Sequence, residues 1–381
     1  MTNTIYLDNG ATTQIAPEVL KAMKPYLTKK FGNPNSIHLF GREPAKAIEM
    51  VRKRILEKLG AKRGILVFTG CGSESNNLAI KGVAFANRNK GKHIITSKIE
   101  HSCVLESCKW LEKQGFEITY LDVNKEGIVD VGALKKAIRK DTILVSVMHV
   151  NNEIGTIQPI CEIGKICREK GIYFHTDACQ SFTKVPLNVD KYFLDLVTIS
   201  AHKIHGPKGV AALYIQNNVK IEPWVHGGGQ EDGLRGGTQN IPGIIGFGAA
   251  VDVIKPEDIK KMTEIRNKTI KEILKIKGSH LNGSLTQRAC NNINVRFDKI
   301  EGESLLMHLD NLGIAVSTGS ACASKSLEPS HVLRALGLSP EQTHGSLRIT
   351  ISKYTTNKEI DYFLSVLPKF IEKLRNISPL K

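Results

Sequence analysis

"IYFHTDACQS" (residues 172–181) begins as an apolar, β-branched and aromatic run and stops on an aspartate followed by small residues. Such a run reads as a buried strand, which puts the Asp177 carboxylate at its C-terminal end. A carboxylate there is costly unless a cation or hydrogen-bond donors answer it. Similar runs recur on both sides: "ILVF" (65–68), "HIITS" (93–97), "EITYLDV" (117–123), "TILVSVMHV" (142–150), "DLVTISA" (195–201) and "AALYI" (211–215). Helical patterns separate several of them, such as "SCVLESCKWLEKQG" (102–115) and "CEIGKICREKG" (161–171). This alternation predicts an α/β fold: a mostly parallel, seven-stranded sheet covered on both faces. Ligands of such sheets bind beyond the carboxyl ends of the strands.

After the glycine-rich "HGGGQEDGLRGGTQN" (226–240) the pattern changes. One long helical region is expected over 243–277. Strand-like "NINVRF" (292–297), "IAVSTG" (314–319) and "LRITIS" (347–352) then mix with helical "GESLLMHLD" (302–310) and "KEIDYFLSVLPKFIEKLRN" (358–376). We expect a large domain over 14–255, which would carry the strand-end ligand site. A smaller α+β domain would comprise 1–13 and 256–381, with a ligand cleft between the two.

Composition removes several classes. Of 381 residues, 41% are hydrophobic and 24% charged, as in ordinary globular chains. No apolar run is long enough to span a membrane. The start, "MTNTIYLDNGATT", lacks the basic region and apolar core of a secretory signal, so a cytoplasmic location is expected. The eight cysteines contain no C-x-x-C pair, which argues against a zinc ribbon or a redox pair. The formal net charge of +16 comes from lysines dispersed along the chain, read as a solvated surface. No nucleic-acid-binding signature accompanies it, so no direct nucleic-acid partner is expected.

Four stretches carry chemistry when taken together. In "FTGCGSESNN" (68–77) a strand gives way to a turn of small residues and then a helix. The N–H groups of Gly72 and Ser73 and the Ser73 hydroxyl could receive a phosphate, although an ordinary capped turn is the commoner outcome for such a stretch alone. In "HTDACQS", Asp177 could answer a protonated pyridine nitrogen, with Gln180 beside it; a structural aspartate is the commoner fate of an isolated one. In "TISAHKIHGPKG" (198–209) a strand end delivers Ser200, His202 and Lys203. A lysine there is either a surface residue or one consumed in a Schiff base. His101 follows a strand-like run in "SKIEHSCV" (97–104). A lysine, an acid and a phosphate site are the parts that a pyridoxal phosphate enzyme needs.

One more stretch, "STGSACASKS" (317–326), places Cys322 among small polar residues rather than the apolar neighbours of a buried cysteine. Taken alone, it is either an incidental loop residue or a nucleophile carried on a loop.

End to end, the sequence resembles the NifS/IscS-type cysteine desulfurases of the class V aminotransferase-like group. The stretches that carry the likeness include "YLDNGATT" (6–13), "FGNPNS" (31–36), "VSVMHVNNEIGTIQPI" (145–160), "SAHKIHGPKGV" (200–210) and "STGSACASKSLEPSHVLRALG" (317–337). The resemblance implies a fold-type I pyridoxal phosphate-dependent transferase. By position, Lys203 would form the Schiff base, Asp177 would pair with the ring nitrogen, and Gln180 would bond the ring oxygen. His101 would stack on the ring and serve as an acid–base catalyst. Gly72, Ser73, Ser200 and His202 would hold the phosphate, with Thr238 supplied by the other subunit of a homodimer. Asn152 would lie beside cofactor and substrate, and Arg348 would clamp the substrate carboxylate. Cys322 would take sulfur from L-cysteine as a persulfide, releasing L-alanine, and pass it to an iron–sulfur scaffold or a tRNA-thiolation protein. No resident metal is implied, beyond contact of Cys322 with a nascent cluster during transfer. Ser73 stands where many relatives have Thr, and Asp232 where Arg is common. Cys71, Cys103 and Cys179 read as packing residues. The competing readings are a selenocysteine lyase or aminotransferase on the same fold, and a catalytically retired paralogue serving in assembly. Cys322 speaks against the aminotransferase, and intact Lys203, Asp177 and His101 against the paralogue.

Overall fold

The computed structural model describes residues 4–318 and 329–378. Cys322 therefore lies outside the described residues, as do the ends of the chain.

The strands, in chain order, are β1 (Ile5–Tyr6), β2 (Ile65–Thr69), β3 (His93–Ser97), β4 (Glu117–Leu121), β5 (Thr142–Ser146), β6 (Tyr173–Asp177), β7 (Leu196–Ser200), β8 (Ala211–Ile215), β9 (Ser279–Leu281), β10 (Asn292–Phe297), β11 (Ile314–Ala315) and β12 (Ser346–Thr350). Seven of them form one sheet in the order β2-β8-β7-β6-β5-β3-β4. Strands β3 to β7 run parallel. Strand β8 is antiparallel to both β7 and β2, so β2 recovers the common direction. The carboxyl ends of β2, β3, β5, β6 and β7 therefore share one edge, with β6 at the centre.

The apolar runs form strands because helices cover both faces of the sheet. Every residue of β3, β5, β7 and β8 is buried, whereas the edge strand β4 is buried only at its last residue. The helix Ile160–Lys170 returns the chain from β5 to β6 and stops at Gly171, which adopts φ 67° in the left-handed region that glycine enters without a Cβ penalty. The expected helical region over 243–277 is two helices, Ile241–Ala250 and Pro256–Ile273. The break has a local cause: Pro256 drives Lys255 to an extended conformation, φ −100° and ψ 163°.

Strands β9, β10 and β12 make an antiparallel sheet in the order β12-β10-β9, and β1 pairs with β11. Isolated bridges join Asp8 to Thr350 and Ser317 to Arg348. The segment after β1 thus touches the small sheet and then runs to the edge of the large one, where Thr13 N–H donates to the His202 carbonyl.

Candidate active site

A cavity of about 300 Å³ opens at the shared edge. Its lining brings together Gly72, Ser73, His101, Asn152, Asp177, Gln180, Ser200, His202, Lys203 and Arg348. Chain direction explains most of this list. Asp177 is the last residue of β6 and Ser200 the last of β7. Lys203 ends the single 3₁₀ turn that follows β7. Gly72 opens the helix that leaves β2, and His101 is the N-cap of the helix Ser102–Glu112 that follows β3.

The Asp177 carboxylate accepts from Asn76 Nδ2 at 2.7 Å and from Cys179 N–H at 2.9 Å. Both donors are neutral, so a cationic group at the cavity would complete its pairing. Lys203 Nζ donates to the carbonyls of Gly10 at 2.5 Å and Ala11 at 2.8 Å. Gln180 Nε2 donates to the same Gly10 carbonyl at 3.0 Å. Burial pushes His202 down to about 4, helped by Lys203, Lys208 and Lys184, so its ring is neutral beside Thr12 Oγ1.

Three buried polar atoms of this cavity's residues lack a hydrogen-bond partner among the described residues: the acceptor Asn76 Oδ1 and two that can donate, Ser200 Oγ and Arg348 Nε. An unpaired buried polar group costs about 1–3 kcal/mol, which points to a ligand that satisfies it. Close to Ser200, the first N–H groups of the helix at Gly72 have no intrahelical acceptor. A Cβ on Gly72 would stand 2.9 Å from Cys179 Sγ, so a larger residue there would have to displace that side chain. The Ser200 end can therefore take an oxyanion. At the other end, Arg348 is 3% exposed and pairs with Asp8 at 2.9 Å while donating to the Asn152 carbonyl at 3.2 Å. Its unpaired Nε–H leaves capacity for a carboxylate.

Thr238 is not in this cavity. It is exposed and lines a separate pocket with Thr69, Glu231 and Arg235. The three extra thiols differ from one another. Burial and Asp177 push Cys103 up to about 12 and Cys179 well above the ordinary thiol range, so neither supplies a thiolate near neutrality. Cys71 is exposed, which departs from its reading as a packing residue. Sequence reasoning gave no role to Asn76, or to the Gly10 and Ala11 carbonyls that receive Lys203. Asn76 lies one helical turn beyond Gly72, a position that a helix start at Gly72 makes readable.

Against known proteins, the family described as aminotransferase class-V matches residues 5–363. A cysteine desulfurase IscS from Dictyoglomus turgidum is 56% identical over 385 residues, covering 100% of this chain and 98% of that one. A solved NifS-like protein superposes with a TM-score of 0.91 at 38% identity, covering 97% of this chain and 100% of that one. SspA in complex with cysteine superposes with a TM-score of 0.83 at 39% identity, covering 93% of this chain and 100% of that one. The fold is that of the fold-type I pyridoxal phosphate enzymes. A family match along nearly the whole length, and relatives this similar over full chains, leave one conclusion: the chain belongs to the aminotransferase class-V family, among the cysteine desulfurases of the NifS/IscS type.

Proposed function

We propose that the chain is a pyridoxal phosphate-dependent cysteine desulfurase, which converts L-cysteine to L-alanine and carries the released sulfur as a persulfide. The observation that carries this reading is the convergence of a lysine, a buried aspartate and two unpaired donors, Ser200 Oγ and Arg348 Nε, on one cavity. Pyridoxal phosphate fits that donor set: Ser200, Gly72, Ser73 and His202 would hold its phosphate, Asp177 its ring nitrogen and Gln180 its ring oxygen, with Lys203 as the residue that would attach it. When bound, the cofactor supplies an electron sink that makes the substrate labile next to its α-carbon.

The protein's own groups do the rest. Arg348 orients the substrate carboxylate, and Asn152 borders both substrate and cofactor. Lys203 moves protons at the α-carbon, and His101, neutral because burial lowers it, covers the ring. The Cys322 thiolate attacks the sulfur of L-cysteine. The carbon–sulfur bond breaks, a proton goes to the carbon to complete L-alanine, and the sulfur stays on Cys322 as a persulfide. Seven described cysteines are free thiols and no described helix is long and apolar enough to cross a membrane, which supports a reducing, cytoplasmic setting. The IscS naming of the relatives is in line with an acceptor that is an iron–sulfur scaffold or a tRNA-thiolation protein, with Cys322 touching a cluster only in transfer. The exposed Thr238 supports a homodimer in which each chain completes its partner's phosphate site. We further divide the chain into a cofactor domain, 14–255, and a small domain, 1–13 with 256–381.

The test is to incubate the holoenzyme with L-cysteine, assay alanine, and look for one added sulfur on the Cys322 peptide by mass spectrometry. Both should appear, and both should vanish in Cys322→Ala. A cofactor-loaded protein that yields neither product would reject cysteine as the substrate and bring selenocysteine lyase or aminotransferase forward.

A further inference from the structure

A run of hydrogen bonds beneath the cavity connects two residues that the desulfurase reading treats separately. Asn76 Nδ2 donates to Asp177 Oδ2 at 2.7 Å and also lies 3.2 Å from Cys103 Sγ. Cys103 Sγ is 3.0 Å from His101 Nδ1, and the backbone N–H of Cys103 donates to the same Nδ1 at 3.2 Å. We propose that Asn76 and Cys103 are positioning residues that fix His101 in the tautomer protonated on Nε2 and tie its ring to Asp177.

Donor counting assigns the roles in the run. A ring nitrogen that accepts a backbone N–H carries no proton, so Nδ1 is the acceptor in both contacts, and the Cys103 thiol, which also faces Ser73, donates to it alongside that N–H. The neutral ring then bears its single proton on Nε2. The sulfur, having donated, accepts from Asn76. The Asn76 amide has one orientation available, because turning it over would set its carbonyl against the Asp177 carboxylate. Burial supports the assignment: it lifts the Cys103 thiol to about 12 and lowers His101, so both groups are neutral near pH 7. One asparagine therefore serves both the carboxylate and, through sulfur, the imidazole. Neither donor carries a charge of its own, so the run adds no net charge at the cavity.

This inference deepens the desulfurase reading and rests on His101 standing beside the cofactor, but its test reads the run directly. The full chain, labelled with ¹⁵N-histidine, is measured by NMR with cofactor bound and after its removal, with His101→Phe identifying the resonance. The S–H stretch of Cys103 is isolated by infrared difference against Cys103→Ala. We expect Nδ1 of His101 in the unprotonated range, Nε2 protonated, and an S–H band at low frequency that rises in His101→Phe. In steady-state assays Cys103→Ala should lower kcat about three- to tenfold with little change in KM, the weight of one lost hydrogen bond. Cys103→Ser, whose hydroxyl can still donate, should restore most of it. A proton on Nδ1, or an S–H band indifferent to His101, would overturn the proposal while leaving desulfurase activity intact. A chain with the Nε2–H tautomer that makes no alanine would instead overturn the desulfurase reading.

Discussion

At the scale of the residue, Ser200 and Asp177 show how a binding site is held in readiness. The Ser200 hydroxyl is buried at a strand end and has no partner among the described residues. Such a group costs stability until a ligand satisfies it, whereas replacing it with an apolar group of similar size is close to neutral. Ser200→Ala should therefore leave the cofactor-free protein as stable as the wild type, or more stable by up to about 1 kcal/mol. The same substitution should weaken pyridoxal phosphate binding about tenfold. Thermal melts with and without cofactor, together with a cofactor titration, check both signs; a loss of stability in the cofactor-free protein would mean that Ser200 has a structural partner. Asp177 is different, because its neutral donors Asn76 and Cys179 N–H already satisfy part of its hydrogen-bonding capacity. What it lacks in those two bonds is opposite charge, the quality that a cationic ring nitrogen brings.

At the scale of the element, the short helix His331–Ala335 is fastened by its cap. Ser330 Oγ accepts from Leu333 N–H and donates to Glu153 Oε2 at 2.5 Å. Glu153 is 5% exposed, and burial pushes its carboxyl up to about 7 against the opposing pull of Ser330 and Arg348. The sign follows from linkage. A carboxyl raised on folding binds its proton more tightly in the folded state, so its contribution is full below the unfolded value near 4.3 and is lost as pH rises to about 7. Glu153→Gln should remove that loss and stabilise the protein at pH 8 by on the order of 1–3 kcal/mol, with little effect near pH 4. Urea unfolding of both proteins across this range decides it, and curves that stay parallel would show that Glu153 does not titrate there. Glu100 adds to the same slope in the wild type, since burial raises it to about 8 while Ser97 Oγ and Met148 N–H hold its Oε1.

At the scale of the whole molecule, the proposed homodimer makes Thr238 the residue to test. Thr238 is exposed and borders a pocket on residues other than those around Lys203. If it serves the partner's site, a dimer of one Lys203→Ala chain and one Thr238→Ala chain contains one intact site, built from Lys203 of the second chain and Thr238 of the first. Such mixed dimers should recover about half the wild-type activity at cofactor concentrations too low to load the Thr238→Ala homodimer. Recovery no greater than the sum of the two homodimers would place the function of Thr238 within its own chain.

The sequence by itself determined the large sheet and the residues at its strand ends. Apolar runs and helical periods are local signals, and parallel strands bring their carboxyl ends to one edge whatever their lateral order. Asp177, Ser200, His202, Lys203 and His101 were legible for that reason, and the break at Pro256 was within reach of the same local rules. Tertiary structure alone decided the rest. Arg348 reaches the cavity because β12 pairs with Ser317 and β10, contacts that no local pattern encodes. The Gly10 and Ala11 carbonyls meet Lys203 across some 190 residues of chain. The Asn76–Cys103–His101 run needs the helix after β2 to pack against the helix after β3, so Cys103 read from sequence as simple packing. Hydrogen-bond partners and protonation states depend on who is buried beside whom, and that is set by the order of the strands and the packing of the helices.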